Sequence, residues 1–367
     1  MRACGVNAVI SRATSVAIER TQDNRFIEVA RSVPAPEPGE LLLGIETAGV
    51  CGTDIQIVKG MRSEVATVLG HEACCTVLAV GERWASQFAD GDRVAINPTS
   101  ATDPNFLLGH SVDGVWSSHL LVTEHAVELG QVVPLPESLD PVLAVLVEPL
   151  ACAIYSWSML QQARPERVLV LGDGTVGRLV SWLATGCLGP GSVMLAGRTD
   201  MEDDRARARV LHGMRGRTGV VIATPRDSTA ACVTVALENA GAGSVIDVIG
   251  GLDAGSDPTL QRVIDVRAQN VCGFPREPKM LTLDMGAPEA LRRLRVTGHR
   301  GVSTEHLRAA ADLLLRNGAD LGRLITHLAT PAEAIDALND ISDGGVRSMA
   351  GRRILKLVID FRGATTA

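Results

Sequence analysis

Aromatic side chains are scarce in this 367-residue chain, with 5 Phe, 4 Trp and 1 Tyr. So few rings leave little material for the stacking platforms that hold single-stranded nucleic acids. A large charge of either sign is also missing. The 35 Lys and Arg against 42 Asp and Glu give a formal net charge of −7, which offers nucleic acid no basic footprint. The eight cysteines are Cys4, Cys51, Cys74, Cys75, Cys152, Cys187, Cys232 and Cys272. No two stand in a C-x-x-C pair, which argues against a disulfide framework and against a thiolate zinc cluster. The most apolar long window, Val142 to Leu160, is interrupted by Glu148 and Pro149, so no membrane span is expected. The opening residues carry no apolar stretch followed by a small-residue cleavage site, so no signal peptide is expected and a cytoplasmic location follows.

What is present is enough apolar material, 46% of residues, to exclude a mainly disordered chain. The length exceeds what one core serves and predicts two domains. From Phe26 to about Val133, short apolar runs such as Cys75–Val80 and Asp92–Ile96 alternate with Gly, Pro, Asn and Asp, the pattern of an irregular antiparallel β domain. Pro34, Pro36 and Pro38 read as an extended lead-in to its first clear strand. Near residue 150 the texture changes. Arg167–Leu171 reads as a buried strand, and further strands are expected at Ser192–Ala196, Val220–Ala223, Ser244–Ile249 and Asn270–Phe274. Strands alternating with helical patterns predict βαβ units, an α/β fold with a doubly wound parallel sheet. Toward the end, Leu307, Ala310, Ala311 and Leu314 mark a helix stopped at Gly318. Thr330-Pro331-Ala332-Glu333 starts another with a capping box, and Ile354–Ile359 forms a last strand.

Gly172-Asp173-Gly174-Thr175-Val176-Gly177 follows the first of these parallel strands and opens a helix whose apolar face is Val176, Leu179, Val180 and Leu183. In that context G-x-G-x-x-G is a dinucleotide-binding signal, because glycine lets the backbone approach a pyrophosphate at the helix N-terminus. Cofactor choice is expected at the end of the next strand, about 20–25 residues past the first glycine, where a carboxylate would bind the adenosine ribose. The sequence there offers Gly197, Arg198 and Thr199 instead, with Arg205 as a second cation. A guanidinium and a hydroxyl suit a 2′-phosphate, so NADP(H) is favoured over NAD(H). The charged run Asp203–Arg209 is read as a solvated helix face with pairs such as Asp203 to Arg207.

Three further motifs stand in the β region or just after it: Gly49-Val50-Cys51-Gly52-Thr53-Asp54, Gly70-His71-Glu72 and Val147-Glu148-Pro149-Leu150. Together they supply thiolate, imidazole and carboxylate, the donor types of a catalytic zinc that keeps one position open. Their order, followed by the glycine loop and Gly298-His299-Arg300-Gly301, resembles the zinc-dependent medium-chain dehydrogenase/reductase superfamily, the alcohol, sorbitol and threonine dehydrogenase relatives. The resemblance covers nearly the whole chain. It implies a GroES-like, mainly β catalytic domain at 1–152 and 297–367 around a Rossmann domain at 153–296. It further implies Cys51, His71 and Glu72 as zinc ligands, Glu148 as a direct or water-mediated fourth, and Thr53 as the hydroxyl that passes the substrate proton. Arg300 matches a cofactor-contacting position. The implied activity is hydride transfer between a nicotinamide cofactor and a small secondary alcohol or ketone, with a homodimer or homotetramer as the assembly. A Glu-containing zinc site resembles the sugar, polyol and cyclitol members.

Two departures stand out. The region Asn97–Phe106 lacks the four cysteines with which many relatives hold a structural zinc, so one catalytic zinc is expected and no structural one. Cys51 is then the metal ligand and the other seven cysteines are packing residues. Gln56 stands where relatives often place a histidine, and a neutral amide cannot titrate near pH 7. His110, His119 and His125 are read as structural, and the Asn105–Trp116 segment as a border of the pocket. The competing readings are a zinc-free quinone or enoyl reductase of the same superfamily, and a nucleotide-sensing protein that lost catalysis.

Overall fold

The computed structural model describes residues 13–287 and 290–364. A hairpin of Ala13–Arg20 and Phe26–Val33 comes first, before the proline lead-in, and is tied to the rest by isolated bridges from Ala17 to Ser117 and from Glu19 to Val68. A seven-stranded sheet follows, running Ile325–Ala329, Lys356–Asp360, Leu41–Val50, Ala73–Val80, Arg93–Ile96 and Val132–Pro134, with His119–Val122 paired to Leu41–Gly44. Its core holds Leu41, Leu43, Val77, Val94 and Trp116, all completely buried. Two strands from the C-terminal part of the chain, Ile325–Ala329 and Lys356–Asp360, thus join the sheet of the first region.

Residues 167–298 build a six-stranded sheet in the order Leu281–Met285, Arg292–Gly298, Val245–Val248, Thr218–Ile222, Arg167–Leu171, Val193–Ala196. All its pairings are parallel except that of the edge strand Leu281–Met285. The chain leaves Arg167–Leu171, adds Val193–Ala196 on one side, then crosses to add Thr218–Ile222 on the other. That reversal is the topological switch point, where a doubly wound sheet opens its ligand crevice. The helix Val147–Gln161 packs against this sheet, and the junction expected near residue 153 falls inside it. The second junction, at 297, falls inside Arg292–Gly298.

Three local expectations are corrected. Asn270–Phe274 is a turn and not a strand, because Cys272 and Gly273 adopt φ of +51° and +81° and the Val271 amide donates to the Phe274 carbonyl. The strand beside Val245–Val248 is Arg292–Gly298, hidden in the sequence by three arginines whose alternation reads as a solvated segment. The span Thr304–Leu321 is two helices joined where Asn317 leaves helical geometry, one residue before the stop expected at Gly318. A Cβ there would lie 2.7 Å from Leu143 Cδ2, so that glycine serves close packing. Asp203 does not pair with Arg207; it caps the helix Asp204–Gly213, accepting from the Ala206 amide at 2.7 Å. The capping box at Thr330 and Glu333 is present as read.

Among the cysteines, Cys74, Cys75 and Cys272 are buried and Cys152 and Cys232 half-buried, but Cys187 is exposed and does not act as a packing residue. Cys4 lies outside the described residues. No helix among the described residues is long and apolar enough to cross a membrane.

The β/α sheet buries one carboxylate with an incomplete set of partners. Asp247 accepts from the Ser156 hydroxyl, while its Oδ1 has no hydrogen-bond partner. Burial pushes its pKa up to about 6, against the Ser156 hydrogen bond and the Arg267 charge. A folded-state pKa above the unfolded value means stability that is present at low pH and lost as pH rises from about 4 through 6. Two units correspond to roughly 3 kcal/mol. Asp247→Asn should therefore raise the unfolding midpoint relative to the parent chain more at pH 7.5 than at pH 4.5, as read by thermal unfolding at both pH values.

Candidate active site

The strands Leu41–Val50 and Ala73–Val80 pair antiparallel with Ala48 opposite Ala73. Cys51, just past the end of one, and His71-Glu72, just before the start of the other, therefore emerge at the same end of the sheet. Cys51 Sγ, a ring nitrogen of His71 and a carboxylate oxygen of Glu72 lie within 4.8 Å of one another. The two motif glycines make this possible. Gly70 has φ +87° and a Cβ there would meet Trp116 Cδ1 at 2.2 Å. A Cβ on Gly49 would meet Glu72 Oε2 at 2.3 Å, so the glutamate lies directly over that glycine.

Cys51 is the N-cap of the helix Gly52–Val58. Its sulfur accepts from the Thr53 and Asp54 amides at 3.1 and 3.2 Å, and Asp54 Oδ2 accepts from the Cys51 amide at 2.8 Å. Amide donors at a helix N-terminus favour a thiolate. Asp54 is completely buried, and its Oδ1 stands 3.8 Å from His71 Nδ1 with neither atom hydrogen-bonded. Burial lowers the His71 pKa, but the negative field of Cys51, Asp54 and Glu148 outweighs it and lifts the imidazole well above its ordinary value. Burial pushes the Cys51 thiol up.

Glu148 sits in the first turn of the helix Val147–Gln161, outside the three-residue cluster but close enough to feel His71 and Glu72. It accepts from the Cys152 thiol at 3.3 Å, and burial raises its pKa. The expected fourth ligand is thus at hand without being in contact.

Sequence reasoning missed the counter-ion. Lys356 is 1% exposed and its Nζ donates to Glu72 Oε2. The register explains it: the last strand runs antiparallel to Leu41–Val50 with Leu357 opposite Val50, which brings Lys356 in at the same sheet end. The preceding text, Arg352-Arg353-Ile354-Leu355-Lys356, reads as a basic surface segment, so no local signal marks a buried lysine. Arg347 is a second missed cation, mostly buried within the field of Cys51, Glu72 and Asp54, its Nη2 donating to the Leu355 carbonyl at 2.9 Å. Asp54 and Glu148 stand around the cluster as further carboxylates, facing these two cations and the His71 imidazole. Tetrahedral zinc, with bonds of about 2.0–2.3 Å, needs ligand atoms about 3.3–3.8 Å apart. The sulfur, nitrogen and oxygen donors fit that requirement after a small closure, and the unpartnered His71 Nδ1 and Asp54 Oδ1 fit a site built for a cation.

His110 lies beside His71 with ring centroids 5.4 Å apart and its Nδ1 3.3 Å from Glu64 Oε1, so the Asn105–Trp116 segment does border the cluster. His119 bonds the Ser118 hydroxyl and His125 the Asp103 carboxylate, both at 2.9 Å. The cysteine-free lobe is tied by the Leu108 amide to the Pro98 carbonyl at 3.0 Å and by Asn97 Nδ2 to the Val302 carbonyl at 2.8 Å. Arg300 donates to the Pro104 carbonyl of that lobe at 3.2 Å. Gln56 Nε2 donates back to the Gly52 carbonyl.

The glycine loop stands at the switch point. A Cβ on Gly172 (φ +114°) would meet the Ala223 carbonyl at 2.3 Å, and one on Gly177 the Gly172 carbonyl at 1.9 Å, so both are needed for tight turning and close packing. A Cβ on Gly174 would meet nothing within 4 Å, so that glycine faces open space. Gly174 caps the helix Thr175–Leu188 without a side-chain acceptor, leaving amides for a phosphate. Thr175 Oγ1 donates to the Leu355 carbonyl at 3.2 Å, and Val176 is half-buried. At the neighbouring strand end Gly197 is buried, Arg198 and Thr199 are exposed, and Arg205 is exposed on the helix beyond. Arg198 Nη2 stands 4.0 Å from Asp227 Oδ2. Two carboxylates lie at Gly197: Asp200 Oδ2 accepts from its amide at 2.8 Å and so caps the helix Arg198–Glu202, and the carboxylate of Asp173 stands against it from the glycine loop.

Residues 37–137 match the alcohol dehydrogenase GroES-like domain. The starvation-sensing protein RspB of Escherichia coli is 29% identical over 210 residues, 53% of this chain and 59% of that protein. L-galactonate-5-dehydrogenase of the same organism is 28% identical over 172 residues, 42% of this chain and 48% of that protein. The chain thus spans about half the length of these curated relatives. A solved structure of a putative zinc-binding dehydrogenase from Sinorhizobium meliloti, bound to NADP, superposes with a TM-score of 0.66 at 22% identity, covering 95% of this chain and 100% of that one. At that identity the likeness concerns the fold.

Removing one partner of a buried ion pair costs about 3–5 kcal/mol, because the other charge is left unmatched. Lys356→Met should destabilise the metal-free protein by about that much. A divalent cation at the neighbouring donors replaces the lost charge, so added zinc should recover part of the loss in urea unfolding.

Proposed function

We propose that the chain is a zinc-dependent dehydrogenase of the medium-chain dehydrogenase/reductase superfamily, a reading supported by the match of residues 37–137 to the alcohol dehydrogenase GroES-like domain. It moves a hydride between a nicotinamide dinucleotide and a secondary alcohol or ketone of the sugar, polyol or cyclitol class. The observation that carries this reading is the convergence of Cys51, His71 and Glu72 within 4.8 Å. In this reading Cys51, His71 and Glu72 hold the zinc, with Glu148 direct or through water. Zinc supplies Lewis-acid stabilisation of the charge that develops on the substrate oxygen, and the dinucleotide carries the hydride.

The chain's own residues do the rest. Gly172, Gly174 and Gly177 shape the loop, and the amides of Thr175 and Val176 open the helix that faces the pyrophosphate. Thr53, two residues past Cys51, takes the alcohol proton at its hydroxyl and releases it toward solvent. Asp54 fixes the Cys51 backbone, and Lys356 holds Glu72 over Gly49. Arg300 stands where the cofactor-side loop meets the lobe. At the strand end Gly197, Arg198, Thr199 and Arg205 support NADP(H), while the Asp173 carboxylate supports NAD(H). The sugar substrate class is supported by the Glu-containing donor set and by the named activity of the L-galactonate relative. A homodimer or homotetramer remains the assembly that the superfamily resemblance implies.

Cys51→Ala and His71→Ala should each lose zinc by elemental analysis and lower turnover roughly thousandfold or more, since several kcal/mol of charge stabilisation disappears. Circular dichroism should show the fold retained. Activity is read as nicotinamide absorbance across polyols and ketoses with both cofactors. Full turnover by zinc-free Cys51→Ala would exclude the metal's role.

A further inference from the structure

The dinucleotide reading leaves open which residue meets the adenosine ribose. The strand end where a carboxylate is expected carries Gly197, which has no side chain to offer. A Cβ built on Gly197 would stand 3.0 Å from Asp173 Cγ and 3.2 and 3.3 Å from its two carboxylate oxygens. The acid of the glycine loop therefore lies against the backbone of the residue that lacks one, while the other acid at this strand end, Asp200, is committed to the Gly197 amide at 2.8 Å as a helix cap. We propose that Asp173 is the ribose-binding carboxylate of this chain, supplied from the glycine loop to the neighbouring strand end, and that it makes NAD(H) the preferred cofactor.

The surroundings suit this role. Arg353, carried in the short strand Arg352–Arg353 near the C-terminus, donates to both oxygens of Asp173, at 3.1 and 3.3 Å. Arg178, in the helix that follows the loop, donates from Nε to the Asp173 carbonyl at 2.9 Å and brings Nη2 within 3.8 Å of the carboxylate. Burial works to raise the carboxyl pKa, but the Arg353 guanidinium outweighs it and holds Asp173 below the usual carboxylate range. The group is therefore ionised at neutral pH and is an acceptor only. A carboxylate has about four acceptor positions, and the Arg353 fork uses one on each oxygen. One position per oxygen is left for the 2′- and 3′-hydroxyls of a ribose.

A 2′-phosphate meets the opposite situation. It would bring its own negative charge against that carboxylate, and the nearest guanidiniums, Arg353 and Arg178, are already matched to Asp173. Arg198, which the strand-end sequence offers for a phosphate, is 68% exposed and stands 4.0 Å from Asp227. An acid placed by substitution at Gly197 would collide with Asp173, so the two positions are alternatives for one carboxylate.

The proposal rests on the dinucleotide reading and is tested by binding, independently of turnover. The zinc-loaded full chain is titrated with NADH and with NADPH, following nicotinamide fluorescence and heat. The parent chain should bind NADH about tenfold or more tighter than NADPH, the size expected from charge-assisted hydrogen bonds to the ribose. Asp173→Ala should weaken NADH by a similar factor without weakening NADPH, with thermal unfolding confirming a folded protein. Asp173→Ala combined with Gly197→Asp returns the carboxylate to the strand end and should restore the NADH preference, which a merely structural role for Asp173 would not allow. Equal or tighter NADPH binding by the parent chain overturns the proposal, even if no variant folds. An unchanged NADH-to-NADPH ratio in folded Asp173→Ala does the same. Binding of neither nucleotide by zinc-loaded parent chain overturns the dinucleotide reading and this proposal with it.

Discussion

The pairing of Ala48 with Ala73 is the constraint from which the candidate site follows. Once those two strands are in register, Cys51, His71 and Glu72 have no choice but to emerge together, although they are separated by about twenty residues of helix and loop. The third strand enters the same arrangement from the far end of the chain and delivers Lys356 to Glu72. A slip of one residue in either pairing would send the donors to opposite faces. Register, more than any local propensity, therefore determines whether this chemistry exists.

The charges crowded at that sheet end set a second condition. Carboxylates, a thiol, an imidazole and two further cations stand close together, and Asp54 Oδ1, His71 Nδ1 and Arg347 Nε have no hydrogen-bond partner. Buried polar groups left in that condition lower stability. A cation coordinated there relieves several of these penalties at once, so the protein's stability and its metal content are linked quantities.

The motifs were legible because each is local and each needs a particular residue type: glycine where backbone must turn, a cap before a helix, an apolar face at helical spacing. Gly172, Gly177, Gly70 and Thr330 all stand in the geometry that their sequence context demands. What escaped the sequence was whatever depends on a distant partner. Lys356 looks like one more charge in a basic run until the strand register buries it. Asp173 is an unremarked position within the glycine motif until the fold lays it against Gly197. Arg292–Gly298 hides a central strand behind arginines that escape at its end. Gly318 follows the helix break at Asn317, and its packing against Leu143, far away in the chain, was not legible.

The helix Val147–Gln161 carries a consequence of its own. Near its start Glu148 faces the donor cluster, and eight residues later Ser156 holds Asp247 of the parallel sheet. That separation is about 12 Å along a continuous hydrogen-bonded rod. The rod is thus a rigid strut with one foot in each half of the molecule. Rotation of the two sheets about a hinge inside it would tear its backbone ladder, so relative motion has to pass through the strut as a whole.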